Sequence, residues 1–201
     1  MPLNAIILAA GKSTRFNGIK QLANLNGDSL VNHTISQVDC PTINHVYITL
    51  GAHSCRVMSQ LPDHVSPIIS KNWELGMGHS LADSVNELSQ LSGRLLVCLA
   101  DQVAVSPKHY RQLTELSHQH PDAIIASCVN DRACVPAIFP RRFFTPLSQL
   151  QGDQGAKEIL KQHAADVVTV NCPCAQQDID TNEDLFMYQQ NKLSPVSEKE
   201  R

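Results

Sequence analysis

Two stretches of this chain are apolar almost from end to end: residues 3–9 read LNAIILA and residues 94–100 read RLLVCLA. A strand wetted on one face alternates apolar and polar side chains. An unbroken apolar run of strand length fits a parallel strand that is covered on both faces. The cover has to be helical, and helical patterns do lie between the runs. Residues 28–38 place Leu30, Val31, Thr34, Ile35 and Val38 on one face, with Asp28 or Ser29 as N-cap. Residues 77–91 do the same with Leu81, Val85 and Leu88, and residues 107–120 begin with Ser106 as cap and Pro107 in the first position.

Further strands are predicted at 45–50, 65–69, 123–128 and 167–170, and further helices at 53–61, 141–147, 156–163 and 182–190, the last capped by Thr181. A short strand at 134–139 departs from the strand–helix rhythm. The alternation predicts an α/β three-layer sandwich with a mostly parallel, Rossmann-like sheet. A length of 201 residues fits one domain, drawn here as 1–191, followed by a polar, frayed tail at 192–201.

Charge narrows the function. Sixteen Lys and Arg against nineteen Asp and Glu give a net charge of −3, with no clustered basic face of the kind that binds nucleic acid. An anionic substrate must then be held by a few local cations and backbone N–H groups. The first apolar run is too short to span a bilayer and has no basic residue before it, so neither a secretion signal nor a membrane segment is expected, and the reading is cytoplasmic. Seven scattered cysteines are expected to be free thiols. The Cys172-Pro173-Cys174 pair lacks a second pair at zinc-site spacing.

In a parallel sheet, ligands collect at the carboxyl ends of the strands. After the first run comes Leu8-Ala9-Ala10-Gly11-Lys12-Ser13-Thr14-Arg15, with Lys20 shortly beyond. Small residues let backbone N–H groups approach an anion, Arg15 offers a planar fork to phosphate oxygens, and Lys20 offers a point charge. The string is neither a Walker A loop nor a G-x-G-x-x-G turn, and composition alone would also allow a plain loop with solvated cations.

The strongest run ends in Asp101-Gln102, which places a carboxylate where a magnesium ion could be held. Asp178-Ile179-Asp180 puts two carboxylates on one face if extended, and either could complete that site or merely cap the last helix. Gly76-Met77-Gly78-His79-Ser80 opens a helix and reads as an anion- or base-binding turn, or as a glycine-rich cap. His33, His53 and His109 read as surface or core residues rather than ligands.

These residues, taken together, resemble nucleotidyltransferases of the nucleotide-diphospho-sugar transferase fold, and most of all the branch containing molybdenum cofactor cytidylyltransferase. The resemblance rests on six motifs in order. They are Leu8-Ala9-Ala10-Gly11-x-Ser13-x-Arg15-Phe16-x-Gly18-x-Lys20, Gly76-Met77-Gly78-x-Ser80-Leu81, Leu99-Ala100-Asp101-Gln102, Val135 to Pro140, Gly152 to Lys157, and Asp178-Ile179-Asp180-Thr181-x-Glu183-Asp184-Leu185.

The resemblance implies that the loop from Ala9 to Arg15 holds NTP phosphates, that Lys20 stabilises the transferring α-phosphate, and that Asp101 and Asp180 hold Mg²⁺. The form with Ala10 implies CTP rather than GTP, with the terminal phosphate of molybdopterin-bound molybdenum as acceptor and a recipient molybdoenzyme as a transient partner. Relatives that are guanylyl, sugar-phosphate or polyol-phosphate transferases, or chaperones carrying molybdenum cofactor, share the pattern. Two positions depart from it: Val103 stands where proline usually follows Asp-Gln, and Cys134 where glycine often precedes Val-Pro.

Overall fold

The computed structural model describes residues 1–193, so most of the tail expected at 192–201 lies outside the described residues. The strands are β1 (Leu3–Leu8), β2 (Asn24–Leu25), β3 (Asp28–Ser29), β4 (His45–Leu50), β5 (Val65–Ile69), β6 (Arg94–Leu99), β7 (Ile124–Val129), β8 (Arg132–Pro140) and β9 (Val167–Asn171). The helices are α1 (Leu30–Val38), α2 (Ser54–Met58), α3 (Met77–Glu87), α4 (Pro107–Gln119), α5 (Phe144–Ser148), α6 (Ala156–Gln162) and α7 (Asn182–Leu193).

Seven strands form one sheet in the order β5-β4-β1-β6-β8-β7-β9, and β2 pairs with β3 in a small separate ribbon. Every pairing in the large sheet is parallel except those of β8, which runs antiparallel to both β6 and β7. The strand that broke the βαβ rhythm is therefore the reversed one. Its reversal comes from the two-residue turn Asn130-Asp131, both in the left-handed region at φ 49° and 61°, a conformation that hairpin turns require and that Asn and Asp tolerate.

The two apolar runs lie side by side at the centre, β1 paired with β6 from Leu3↔Arg94 to Leu8↔Leu99. Each buries both faces. Leu3, Ala5 and Ile7 pack with Leu96 and Cys98 against Val31, Ile35 and Val38 of α1 and Tyr110 and Leu113 of α4. Ile6 and Leu8 pack with Leu95 and Val97 against Leu81 and Val85 of α3, Phe144 and Leu147 of α5, and Ile159 and Leu160 of α6. This is the three-layer arrangement that the periodicity predicted.

The expected caps are in place. The Ser29 side chain accepts from the N–H of Asn32, the Ser106 side chain from that of His109, and the Thr181 hydroxyl from that of Asp184. Three expectations need adjusting. The helix expected at 53–61 spans only Ser54–Met58. The helix expected from residue 28 starts at Leu30, because Asp28 and Ser29 belong to the ribbon that turns at Asn26-Gly27, with φ 56° and 97°. The helix expected to reach residue 91 ends at Glu87, although Leu88 and Leu91 continue to pack on the same core.

A third apolar cluster joins Phe16, Leu25, Leu30, Val103, Ile179 and Leu185. It fastens the loop after β1 to the start of α7. Val103, at the position that departs from the family pattern, is 1% exposed and belongs to this cluster. Its carbonyl accepts from Tyr188 Oη at 3.0 Å and contacts a ring nitrogen of His33 at 3.2 Å.

Candidate active site

The chain leaves β1, adds β4 and β5 on one side, then crosses back to place β6 on the other. Loops diverge at such a crossing and leave a crevice at the carboxyl ends of the strands. A cleft of about 430 Å³ opens there, lined by residues 8–15 beyond β1, by Lys20, by Gly76, Met77 and Ser80 at the start of α3, by Asp101 beyond β6, and by Asp153 and Asp180.

One buried side chain shapes the loop after β1. Gln21, 4% exposed, donates from Nε2 to the carbonyls of Ala9 at 2.9 Å and Gly11 at 3.0 Å, and its Oε1 accepts from Ser13 Oγ at 3.1 Å. Ser13 sits at φ 58°, and its Oγ also accepts from the N–H of Lys20 at 3.3 Å. A non-glycine residue in the left-handed region costs free energy and persists where its surroundings over-determine it. Here the Gln21 and Lys20 contacts do so. A Cβ built on Gly11 meets no atom within 4 Å, so the protein's own packing does not require glycine there.

Gln21 was not singled out in the sequence, since its partners are carbonyls that any residue supplies. Gln21→Leu is expected to cost about 1–3 kcal/mol, because it strands the buried carbonyl of Ala9, and to weaken nucleotide binding more than tenfold. The checks are a urea denaturation curve and a fluorescence titration on Trp73, which is the chain's lone tryptophan and lies on the cleft wall.

Opposite the loop, the backbone sets the acidic residues in place. The N–H of Ile179 donates to the carbonyl of Asp101 at 3.1 Å, which pins residues 178–180 beside the end of β6. Asp184 accepts from the N–H groups of Asp180 and Thr181, closing the first turn of α7. Lys20 Nζ then reaches Asp101 Oδ2 at 2.8 Å and Asp180 Oδ1 at 3.0 Å, and Arg15 reaches Asp180 Oδ2 at 2.9 Å. Burial by itself lowers the pKa of Lys20, but the charges and hydrogen bonds of Asp101 and Asp180 outweigh it, and the net shift is upward. Partial desolvation, with Asp101 and Asp180 nearby, pushes the Asp178 carboxyl up to about 6. Asp101 Oδ1 is buried without a hydrogen-bond partner.

Lys12 points elsewhere, to Glu74 at 3.7 Å and over the ring of Trp73 at 5.0 Å. Neither Trp73 nor Glu74 carried a sequence signal.

The glycines at 76 and 78 serve close approach. Gly78 N–H donates to the carbonyl of Gly152 at 2.8 Å, and His79 Nδ1 accepts from the N–H of Gly152 at 2.9 Å. Both backbone groups of Gly152 are thus gripped by the first turn of α3, and the Gly78 amide is committed to the protein rather than to an anion. Ser80 Oγ faces back to the carbonyl of Gly76 at 3.4 Å. His79→Ala is expected to raise the Michaelis constant for the nucleotide several-fold with a smaller effect on kcat. His79→Asn, whose Oδ1 can replace Nδ1 as acceptor, restores most of the loss. Equal defects in both variants would show that the grip on Gly152 is unimportant.

The remaining candidates do not join the site. His109 is buried with its Nε2 at 2.8 Å from Ser127 Oγ, and His53 contacts the carbonyl of Lys12 at 3.2 Å. All seven cysteines are free. Cys172 and Cys174 lie 3.1 Å apart at sulfur, with burial pushing Cys172 up to about 12. Among the described residues no three His, Cys, Asp or Glu side chains are grouped to hold a metal, and no helix is long and apolar enough to cross a membrane.

A mostly parallel sheet whose central strand leads into a glycine- and serine-bearing loop, with two cations and two carboxylates gathered beside it, makes a cleft suited to an anionic ligand. Residues 5–167 match the family described as the MobA-like NTP transferase domain, and the chain belongs to that family. It is therefore a nucleotidyltransferase whose substrate is a nucleoside triphosphate. The purine catabolism protein PucB of Bacillus subtilis is 27% identical over 198 residues, covering 92% of this chain and 95% of PucB. The bifunctional protein GlmU of Limosilactobacillus fermentum is 30% identical over 123 residues, covering 60% of this chain; that alignment spans only 27% of GlmU.

Solved structures share the fold at lower identity. A nucleotidyl transferase from Methanothermobacter superposes with a TM-score of 0.81 at 18% identity, covering 96% of this chain and 98% of its own. Rv0371c of Mycobacterium tuberculosis, solved as a manganese complex, gives 0.76 at 21%, covering 94% and 99%. A CMP:2-keto-3-deoxy-manno-octonic acid synthetase complexed with CTP gives 0.72 at 13%, covering 96% and 99%. Molybdopterin-guanine dinucleotide biosynthesis protein A of Archaeoglobus fulgidus gives 0.70 at 13%, covering 94% and 98%.

Proposed function

We propose that this chain transfers CMP from CTP to the terminal phosphate of molybdenum cofactor, with Mg²⁺, and releases pyrophosphate. The observation that carries the reading is the convergence of Arg15, Lys20, Asp101 and Asp180 in the cleft, beside a loop whose carbonyls at Ala9 and Gly11 are held by Gln21. The choice of CTP rests on the Ala9-Ala10-Gly11 form of the loop, and the choice of acceptor on the six ordered motifs.

The residues fit a divalent ion. A buried carboxylate oxygen without a partner, as at Asp101 Oδ1, is costly unless a cation completes it. Magnesium typically takes one or two protein carboxylates and draws its other ligands from water and substrate phosphates, which matches a site without a third acidic ligand. Asp101 and Asp180 would hold it, and the bound ion supplies charge neutralisation where phosphate oxygens meet.

The chain's own residues do the rest. Loop amides from Ala10 to Ser13 bind phosphate oxygens, while the Ala9 amide is taken by the carbonyl of Thr49 at 2.9 Å. Arg15 takes two of them with its planar fork, and Lys20 sets a positive charge against the α-phosphate as negative charge shifts toward the leaving pyrophosphate. The acceptor is an ionised phosphate, so no side chain has to remove a proton. Seven free thiols suit a reducing compartment, and the reaction is assigned to the cytoplasm, with handover to a recipient molybdoenzyme.

The test is pyrophosphate release with Mg²⁺, each of CTP, GTP, ATP and UTP, and molybdenum cofactor, sugar phosphates or polyol phosphates as acceptor. Release with CTP and molybdenum cofactor alone supports the proposal. Release with GTP makes it a guanylyl transferase, and release with a sugar or polyol phosphate replaces the acceptor. Tight cofactor binding without any release makes the chain a carrier.

A further inference from the structure

The same ammonium group touches both carboxylates proposed to hold the metal. Lys20 Nζ lies 2.8 Å from Asp101 Oδ2 and 3.0 Å from Asp180 Oδ1, and its side chain is only 15% exposed. A magnesium ion held by these two carboxylates, about 2.1 Å from one oxygen of each, would crowd the ammonium, and two cations so close repel each other strongly where water is scarce. Lys20, with Arg15 at Asp180, already offsets the charges of Asp101 and Asp180.

The lysine is also placed to leave. Its backbone is fixed, with its N–H on Ser13 Oγ at 3.3 Å and its carbonyl accepting from Ala23 at 3.0 Å, so the flexible side chain does the moving. Ser13 belongs to the loop proposed to bind phosphate. A triphosphate bound there offers Lys20 a second anionic partner within reach of the same fixed backbone.

We propose that Lys20 is a built-in stand-in for the divalent cation. It holds Asp101 and Asp180 together until a nucleotide draws it onto phosphate, and so makes metal binding depend on nucleotide binding. This rests on Asp101 and Asp180 being the metal ligands. The exchange forms and breaks no covalent bond. The ammonium passes from carboxylate to phosphate oxygen as the divalent ion takes its place. Metal alone therefore binds weakly, and an ion that arrives with its triphosphate binds well, since coupling between two ligands is reciprocal.

The experiment is Mn²⁺ titration of the full-length protein by electron paramagnetic resonance, without nucleotide. Lys20→Met is expected to bind Mn²⁺ at least about tenfold tighter than the unmodified protein. Lys20→Gln, which keeps a hydrogen-bond donor without the charge, should also gain affinity and covers the case in which the methionine variant folds poorly. Adding Asp101→Asn to either variant should remove the gain. A lysine serving only to order the site would give the opposite sign, with lower Mn²⁺ affinity on its removal. Unchanged or weaker binding in the folded variants overturns the proposal. The metal-ligand reading is tested separately by Mn²⁺ enhancement of CTP binding, followed by Trp73 fluorescence. If Asp101→Asn alone abolishes that enhancement, the ligand assignment stands whatever Lys20 does, and if the enhancement survives, the assignment falls.

Discussion

Replacing Asp101 with asparagine is expected to slow pyrophosphate release by about a thousandfold and to leave the fold in place. Losing one preorganised charge-stabilising group at a transferring centre typically costs two to three orders of magnitude, and here the change removes a proposed metal ligand as well. The fold should persist because asparagine keeps the volume and the backbone link from Ile179 to the carbonyl of residue 101. Lys20 keeps Asp180 as a partner. Steady-state kinetics and a thermal melt measured on the same preparation separate the two effects. Turnover within tenfold of the parent protein would remove Asp101 from the catalytic set, and a collapsed melting transition would make its role structural.

Gly76→Ala is expected to be strongly damaging although it removes no charge. Gly76 has φ 116° and ψ 174°, a region that only glycine occupies readily. A methyl group there would lie 2.6 Å from Asp153 Oδ1 and closer still to the carbonyl of Gly152. The strained backbone and the overpacking together cost about 4 kcal/mol. Relief requires the loop at 151–155 to move away, which breaks the bonds from Gly152 to Gly78 and His79. Gly11→Ala is the contrast, since its Cβ meets nothing. It should change stability by less than about 0.5 kcal/mol, and any loss of nucleotide affinity then reports close approach of the ligand. Urea denaturation of the two variants is the measurement, and equal midpoints would refute the packing account.

Much of the frame was open to reading in the chain itself. The runs ending at Ala9 and Ala100 are apolar at successive positions, and only a central strand covered on both faces can bury them so. Ser29, Ser106 with Pro107, and Thr181 mark helix starts because a cap is a local device, a side chain satisfying amides two or three residues on. The two hairpin turns, Asn26-Gly27 and Asn130-Asp131, were not singled out in the sequence, although both pairs tolerate positive φ; the second explains why β8 runs backward. The chemistry-bearing types at 15, 20, 101 and 180 stood out because they follow strands or precede a helix.

How those residues meet was decided by the tertiary structure. Lys20 touches carboxylates 81 and 160 positions away, and His79 grips a glycine 73 positions away. Gln21 is the clearest case: its type and neighbourhood suggest nothing, yet it holds the carbonyls of Ala9 and Gly11. Local sequence determines which segments are strands and helices, because propensity, capping and periodicity act over a few residues. Which side chains share a cleft depends on sheet order, on the direction of each strand and on backbone groups that every residue carries alike. Those relations exist only once the chain has closed on itself.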